Sequence, residues 1–339
     1  MRLMKVTNSL SELMDIASHV LSKYNIVPQD IKVIQNDGLK SLWRFNYNGE
    51  TLCLKRLRHT LEKATFSVNA QRHIYTKGGK VPKIHLNTSG EAITIHNEQL
   101  FVLYEWIHGR DLNFTKSADF VRGIEGLAAF HAMSTGYQAP EGAKISTKLG
   151  RWVDQYTSMR NRMEKWKGIA SENPSHSGYK TYLQYIDGII ALCNQAIEQL
   201  EKSSYGQLTN KALHESTMCH QDYGSGNAIG TTDDVYIIDL DGVTYDLPAR
   251  DLRKIIGKRA EKRGKWELDD IHNILAMYNK NNLLSSEDKE VLKIDMLFPH
   301  WFFGTIKNIF AKNKSVNPGK IAKIAKLEQQ KIAILNQWH

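Results

Sequence analysis

Cysteine is scarce, with three in 339 residues, and Cys53, Cys193 and Cys219 are scattered without metal-ligand or redox spacing. That speaks against a disulfide framework or a thiolate metal site, and the three read as reduced thiols of a protein made in the cytosol. Long apolar runs are missing as well. No segment approaches the roughly 20 residues a membrane-spanning helix needs, and the opening MRLMKVTNSLSELMD reaches acidic residues at once. Neither membrane insertion nor secretion by a signal peptide is expected. There is no internal repeat and no nucleic-acid-binding module, since the basic residues are not interleaved with a stacking platform.

What is present is a 41% hydrophobic chain, long enough to bury a sizeable core divided between two lobes. Its formal charge is +9, from 45 basic and 36 acidic side chains, which permits an anionic ligand or surface without identifying one.

The pattern changes part-way along. Residues 9–23 place Leu10, Leu13, Met14 and Leu21 at helical spacing behind a Ser9 cap. IKVIQ, LWRFNY and ETLCLKRL then read as strands, with Asn48-Gly49 between the last two as a hairpin turn in which both positions favour positive φ. Residues 60–77 read as a helix, and VPKIHL, EAITIH and QLFVLYEWI as further strands. Around EWIHGRDL the period becomes helical. FVRGIEGLAAFHAMS, RWVDQYTSMRNRMEKWKG, YKTYLQYIDGIIALCNQAIEQLEK and WELDDIHNILAMYNKN are long helical candidates. The expected fold class is α+β, with residues 1–105 a small antiparallel-sheet lobe carrying an inserted helix and residues 106–339 a larger, mainly helical lobe.

The chemistry concentrates in HQDYGSGN, where His220, Asp222 and Asn227 fit H-x-D-x-x-x-x-N, the spacing of a kinase catalytic loop. In such a loop the Asp receives the acceptor hydroxyl proton and the Asn ligates Mg²⁺; Gly224 and Gly226 are expected to lend backbone freedom. The strand VYIIDL then delivers Asp239 at its polar end, and two oxygen-bearing segments suit Mg²⁺ shared with phosphate. Lys55, in the apolar strand TLCLKRL, stands where a kinase keeps the lysine for the ATP α and β phosphates. Each element has a plainer account: Asp222 a loop cap, Asn227 a turn residue, Lys55 an edge-strand charge. Three of them in kinase order favour a phosphoryl-transfer site.

HQDYGSGN with IIDLDG, the helix LAAFHAMS and the hinge-like VLYEWIHGRDL resemble the aminoglycoside phosphotransferase and choline kinase group over roughly residues 30–305. Within it, KRLRHTLEKATFSVNAQRHIYTKG, the aromatic late helix DMLFPHWFFG and the basic balance are similar to the CotS family of spore coat proteins. The resemblance implies a two-lobed kinase-like fold, ATP and Mg²⁺ as cofactors, synthesis in the mother-cell cytoplasm and deposition in the spore coat. It implies Asp222 as catalytic base with His220 orienting the loop, and Asn227 and Asp239 as metal ligands. Asp241 either touches a second metal or holds the loop, and Asp251 caps or anchors a helix. Lys55, the phosphate-covering Gly38, and the hinge residues Leu103, Tyr104, Glu105 and Trp106, with an exposed backbone edge for adenine, would bind the nucleotide. Expected partners are other coat proteins or coat polysaccharide and a small-molecule or sugar acceptor.

Two departures weigh toward a catalytically degenerate, structural coat component. The helix after Lys55 offers only Glu62, near its start, with Ser67, Asn69 and Gln71 where a partner glutamate is expected; a neutral amide would hold the lysine more weakly. QNDGLKSLWRF has one glycine instead of a glycine-rich loop. Trp152, Tyr156, Arg160 and Trp166 suit an acceptor platform, but the near-helical spacing of Trp152, Tyr156 and Met163 favours core. The tail sets seven lysines from Lys307 to Lys331 against Glu328 and reads as an amphipathic helix after NPG, its lysines in water or facing an acidic partner.

Overall fold

The computed structural model describes residues 9–37 and 40–338. Along the chain run α1 (Leu10–Ser22), β1 (Gln29–Asp37), β2 (Lys40–Tyr47), β3 (Glu50–Leu57), α2 (Leu61–Thr76), β4 (Ile84–His85), β5 (Thr94–His96), β6 (Gln99–Glu105) and β7 (Arg110–Asp111). Next come α3 (Ser117–Ser134), α4 (Trp152–Glu172), α5 (Ser177–Lys202), α6 (Tyr205–Thr209), β8 (Met218–Cys219), β9 (Ala228–Gly230), β10 (Val235–Ile237) and β11 (Thr244–Tyr245). The chain ends in α7 (Ala249–Arg263), α8 (Leu268–Tyr278), α9 (Ser286–Leu297), α10 (His300–Phe310) and α11 (Pro318–Asn336).

Two compact units result, residues 1–146 with 222–244, and residues 147–221 with 245–339. This division by packing differs from the expected boundary at 105/106. The reason lies in local pairing: β7 and β10 both pair with β9, and α3 packs on β10, so all four stay with the large sheet's unit.

In the first unit, β1, β2, β3, β6 and β4 form a sheet in that order, with β5 also paired to β6. The β2–β3 turn is the expected one: Asn48 and Gly49 have φ of 49° and 82°, the left-handed pair that matches strand twist. α1 begins with a reciprocal cap, in which the Glu12 N–H donates to Ser9 Oγ at 3.2 Å and the Ser9 N–H to Glu12 Oε2 at 2.8 Å. Its Leu13, Ala17, Val20 and Leu21 cover Trp43, Phe45, Leu52, Leu54, Phe101 and Leu103. On the alternate strand positions, Leu57, Leu100 and Val102 meet Ala64 and Val68 of α2. The period of two therefore sends Leu54 and Leu103 to α1, and Cys53, Lys55 and Tyr104 to the opposite face. Gly109 has a steric requirement: a Cβ there would lie 2.6 Å from the Gly230 carbonyl oxygen.

In the second unit, α4 packs along α5, which also receives α9 and α11. Trp152, Tyr156, Met163 and Trp166 are buried; Tyr156 stacks on Phe298 with centroids 4.2 Å apart, and Trp166 on Phe303 and Phe310. The aromatic stripe of α4 is core. DMLFPHWFFG is not one helix, because Phe298-Pro299 separates α9 from α10, as a proline without an N–H requires. α11 forms as expected, but Lys331 and Glu328 are buried in it rather than solvated. Lys331 Nζ donates to Glu328 Oε2 at 2.5 Å and to the Phe298 carbonyl at 3.0 Å. Glu328 Oε1 accepts the Trp301 and Phe302 N–H groups, orphan donors of the first turn of α10.

Candidate functional site

One cavity and the charged groups beside it lie wholly within the first unit. It has a volume of about 300 Å³, at the lower end of the small-ligand range, and opens on the Lys55 face of the sheet. Leu42, Cys53, Tyr104, Ile229, Ile238 and Leu240 make its wall largely apolar, while Lys40, Lys55, Asn227 and Asp239 converge in it. Tyr104, Glu105 and Trp106 line it, but Leu103 points to the α1 core. The backbone edge expected to be open here is partly used: the Glu105 N–H goes to the Lys83 carbonyl at 2.9 Å and the Trp106 N–H to the Thr51 carbonyl at 3.0 Å. Arg44, two residues beyond Leu42 on the same strand face, lies over the Trp106 ring at 5.2 Å. Gly38 lies outside the described residues.

The charged end of the cavity is built by Asp239 and the turn beyond it. Asp239 leaves β10 in the left-handed conformation, φ 61° and ψ 55°, an uncommon state for a residue with a Cβ. The short 3₁₀ turn Leu240–Gly242 then brings Asp241 round to the same lysine. Lys55 Nζ donates to Asp239 Oδ1 and to Asp241 Oδ1, both at 2.7 Å. Lys40 Nζ takes the other oxygen, Asp239 Oδ2, at 3.2 Å. Burial alone would lower the Lys55 pKa, yet Asp241 and Asp239 reverse this and hold it above its usual value. Burial likewise works to raise Asp239, but Lys55 and then Lys40 bring it well below the ordinary carboxylate range.

The expected amide substitute for the helix glutamate does not play that part. Gln71 lines the cavity, but its Nε2 donates to the Pro82 carbonyl at 2.7 Å. Asn69 Nδ2 bonds back to Thr65, and Ser67 Oγ to Ala64.

The loop after Gln221 is pinned from within its own unit. Tyr223 OH donates to the Gly123 carbonyl of α3 at 2.6 Å, and the Ile238 N–H to the Asn227 carbonyl at 3.2 Å. Arg122 Nη2 donates to the Thr231 and Asp234 carbonyls, both at 2.8 Å, closing the β9–β10 turn. Asn227 Nδ2 donates to the Asp222 carbonyl at 2.9 Å, which leaves Oδ1 as the amide atom suited to a cation. Asp222 itself is exposed. Gly224 is extended, with φ 174°, and Gly226 is not left-handed. The unusual backbone falls instead on Gln221, at φ 71°, and on Asp239.

His220 and Gln221 belong to the second unit, where Asp251 holds their backbone. Its Oδ2 accepts the His220 N–H at 2.7 Å and its Oδ1 the Gln221 N–H at 3.1 Å; Lys254 Nζ donates to the Gln221 carbonyl. Asp251 sits in the first turn of α7, yet it anchors this loop rather than capping the helix. Its loop partners were not readable from a pattern. Lys40 was missed, although it stands two residues beyond the only glycine of QNDGLKSLWRF.

The donor set fits a hard divalent cation with a polyphosphate: Asp239, Asp241 and Asn227 offer oxygens, and two ammonium groups stand beside them. A family model described as "Spore coat putative kinase YutH" matches residues 19–337. The chain belongs to this spore coat kinase family. Spore coat protein S of Bacillus subtilis (strain 168) is 26% identical over 299 residues, 88% of this chain and 85% of that protein. Among solved structures, an aminoglycoside phosphotransferase from Alicyclobacillus acidocaldarius superposes with a TM-score of 0.76 at 16% identity, covering 95% of each chain. Spectinomycin phosphotransferase APH(9)-Ia, in complex with ADP and spectinomycin, gives 0.59 at 15%, over 96% of this chain and 97% of its own. A microcompartment-associated aminopropanol kinase gives 0.57 at 13%, with 96% and 97% covered. The fold of this spore coat family member is thus the α+β, kinase-like fold of the aminoglycoside phosphotransferases.

Proposed function

We propose that this protein is an ATP- and Mg²⁺-dependent phosphotransferase, acting on a hydroxyl of a small molecule or sugar and resident in the spore coat. The observation that carries the reading is the meeting of Lys55 with Asp239 and Asp241 at one end of an apolar cavity, 184 and 186 residues along the chain from it. A hydrophobic slot with a charged end suits an aromatic base joined to a polyphosphate. Spectinomycin phosphotransferase APH(9)-Ia, which shares this fold, has been solved in complex with ADP and in complex with AMP.

In this reading Tyr104, Glu105, Trp106 and Ile107 border the base, and Lys55 fixes phosphate oxygens. Asp239 and Asn227 hold metal, with Asp241 at a second metal or keeping Lys55 in place. Bound there, ATP with Mg²⁺ supplies the transferable phosphoryl group and neutralises its charge. Asp222 accepts the proton of the acceptor hydroxyl on a carboxylate oxygen, and His220 positions the loop through its backbone. Positioning and charge, not a covalent enzyme intermediate, account for the rate. Other coat proteins or coat polysaccharide are the proposed neighbours.

Calorimetric titration with ATP and Mg²⁺, with Asp239→Ala alongside, tests this. Metal-dependent binding in the parent protein, lost in the variant, is the expected result. Absence of binding to both would instead support a structural coat component that keeps the fold.

A further inference from the structure

We propose that Lys40 is a second phosphate-contacting cation of this site, parked on Asp239 until a nucleotide's phosphates draw it away. The inference rests on the phosphotransferase reading and assigns a specific role to a residue outside its usual parts. Lys40 opens β2, on the same strand face as Leu42, and both line the cavity. Its side chain is 18% exposed and its Nζ lies 3.2 Å from Asp239 Oδ2, while Lys55 occupies Oδ1 of the same carboxylate. An ammonium is a compact charge with three donors on a flexible stem, so it can exchange the Asp239 oxygen for phosphate oxygens.

The chemistry of the hairpin points the same way. A glycine-rich loop holds phosphates through closely approaching backbone N–H groups; QNDGLKSLWRF has a single glycine but sets a lysine two residues beyond it. A side-chain cation can supply the missing attraction.

The pairing of charges then orders the binding. Two ammonium groups and two carboxylates are mutually neutralised here. A divalent ion arriving alone must displace lysines that have no new partner. Arriving with a diphosphate, it takes the carboxylates while the lysines take phosphate oxygens, and every cation keeps an anionic partner. Lys40 therefore has opposite effects on the two ligands: it competes with metal alone and attracts the nucleotide.

The test is calorimetry of ADP and adenosine without metal, and of Mn²⁺ without nucleotide, on the parent protein, Lys40→Met and Lys40→Arg. Loss of one charge-assisted contact predicts ADP binding about tenfold weaker in Lys40→Met. Adenosine affinity should be unchanged, Mn²⁺ binding tighter, and ADP affinity in Lys40→Arg within about threefold of the parent, as expected of a retained charge. An unchanged ADP affinity in Lys40→Met overturns the role of Lys40 and leaves the phosphotransferase reading standing. Equal weakening of ADP and adenosine, or weaker Mn²⁺ binding, overturns it too, since either marks a merely structural lysine. A parent protein that binds neither ADP nor ATP removes the reading and the inference together.

Discussion

His300 gives the second unit a built-in sensitivity to acid whose size can be worked from its surroundings. Its Nε2 lies 2.8 Å from Asp295 Oδ1, and Asp295 also accepts from Arg253 Nε at 3.0 Å and from Tyr156 OH. Burial is the chief cause holding His300 down, the charge of Arg253 adds to it, and Asp295 opposes them; the result is a pKa pushed down to about 3. At neutral pH the contact with Asp295 is therefore an N–H···carboxylate hydrogen bond and not an ion pair. An unfolded histidine titrates near 6.5. Because the folded value is depressed, the unfolded chain binds the proton first, and stability present above about pH 6.5 is lost progressively as pH falls toward 3. Between pH 7.5 and pH 5 this amounts to about 2 kcal/mol. The figure is insensitive to the folded pKa, since pH 5 already lies well above it. Urea unfolding of the parent and of His300→Gln, which keeps an N–H donor but does not titrate, isolates the contribution from every other group. The parent should lose about 2 kcal/mol more than the variant over that interval. Parallel losses in the two proteins would refute the assignment of a neutral, buried His300.

Asp251→Ala removes an acceptor from two backbone N–H groups at His220 and the left-handed Gln221. Bonds to a charged partner each contribute about 1.5–3 kcal/mol, so unfolding free energy should fall by about 3 kcal/mol or more, and a loss below about 1 kcal/mol in urea titration would contradict the anchoring role. Asp222→Ala should lower phosphotransferase turnover by roughly 10²- to 10⁴-fold while nucleotide affinity stays within about threefold, the pattern of a lost positioned base. Unchanged turnover with the same acceptor would exclude Asp222 as that base.

Features set by short-range rules were legible in the sequence. Asn48-Gly49, the Ser9 cap and the apolar strand TLCLKRL depend on neighbours within a few residues, and each has its expected structural form. The core role of Trp152, Tyr156 and Met163 was also readable, because helical spacing of large apolar groups carries the same information as burial. Charges were harder. Glu328 and Lys331 look like members of a solvated face, and only the first turn of α10, with two N–H groups to satisfy, explains why this pair is buried. Likewise, no local signal links Lys40 to Asp239, 199 residues away.

The vacant glutamate position of α2 illustrates how a missing residue can be misread from sequence. Lacking that partner, Lys55 would be a buried ammonium without a counter-charge, costing several kcal/mol and lowering its pKa. The opposite holds: two aspartates from the Asp239–Asp241 turn pair with it and raise its pKa. The helix thus loses an acid without leaving the lysine unpaired, and Gln71 is released to bind Pro82. The substitution on α2 is for this reason weak evidence of a dead site. What it changes is the competition, because the carboxylates that would hold metal now also hold the lysine. Catalysis in such an arrangement would require Asp239 to exchange an ammonium for metal, and the metal dependence of nucleotide binding in the parent and in Asp239→Ala tests for that exchange.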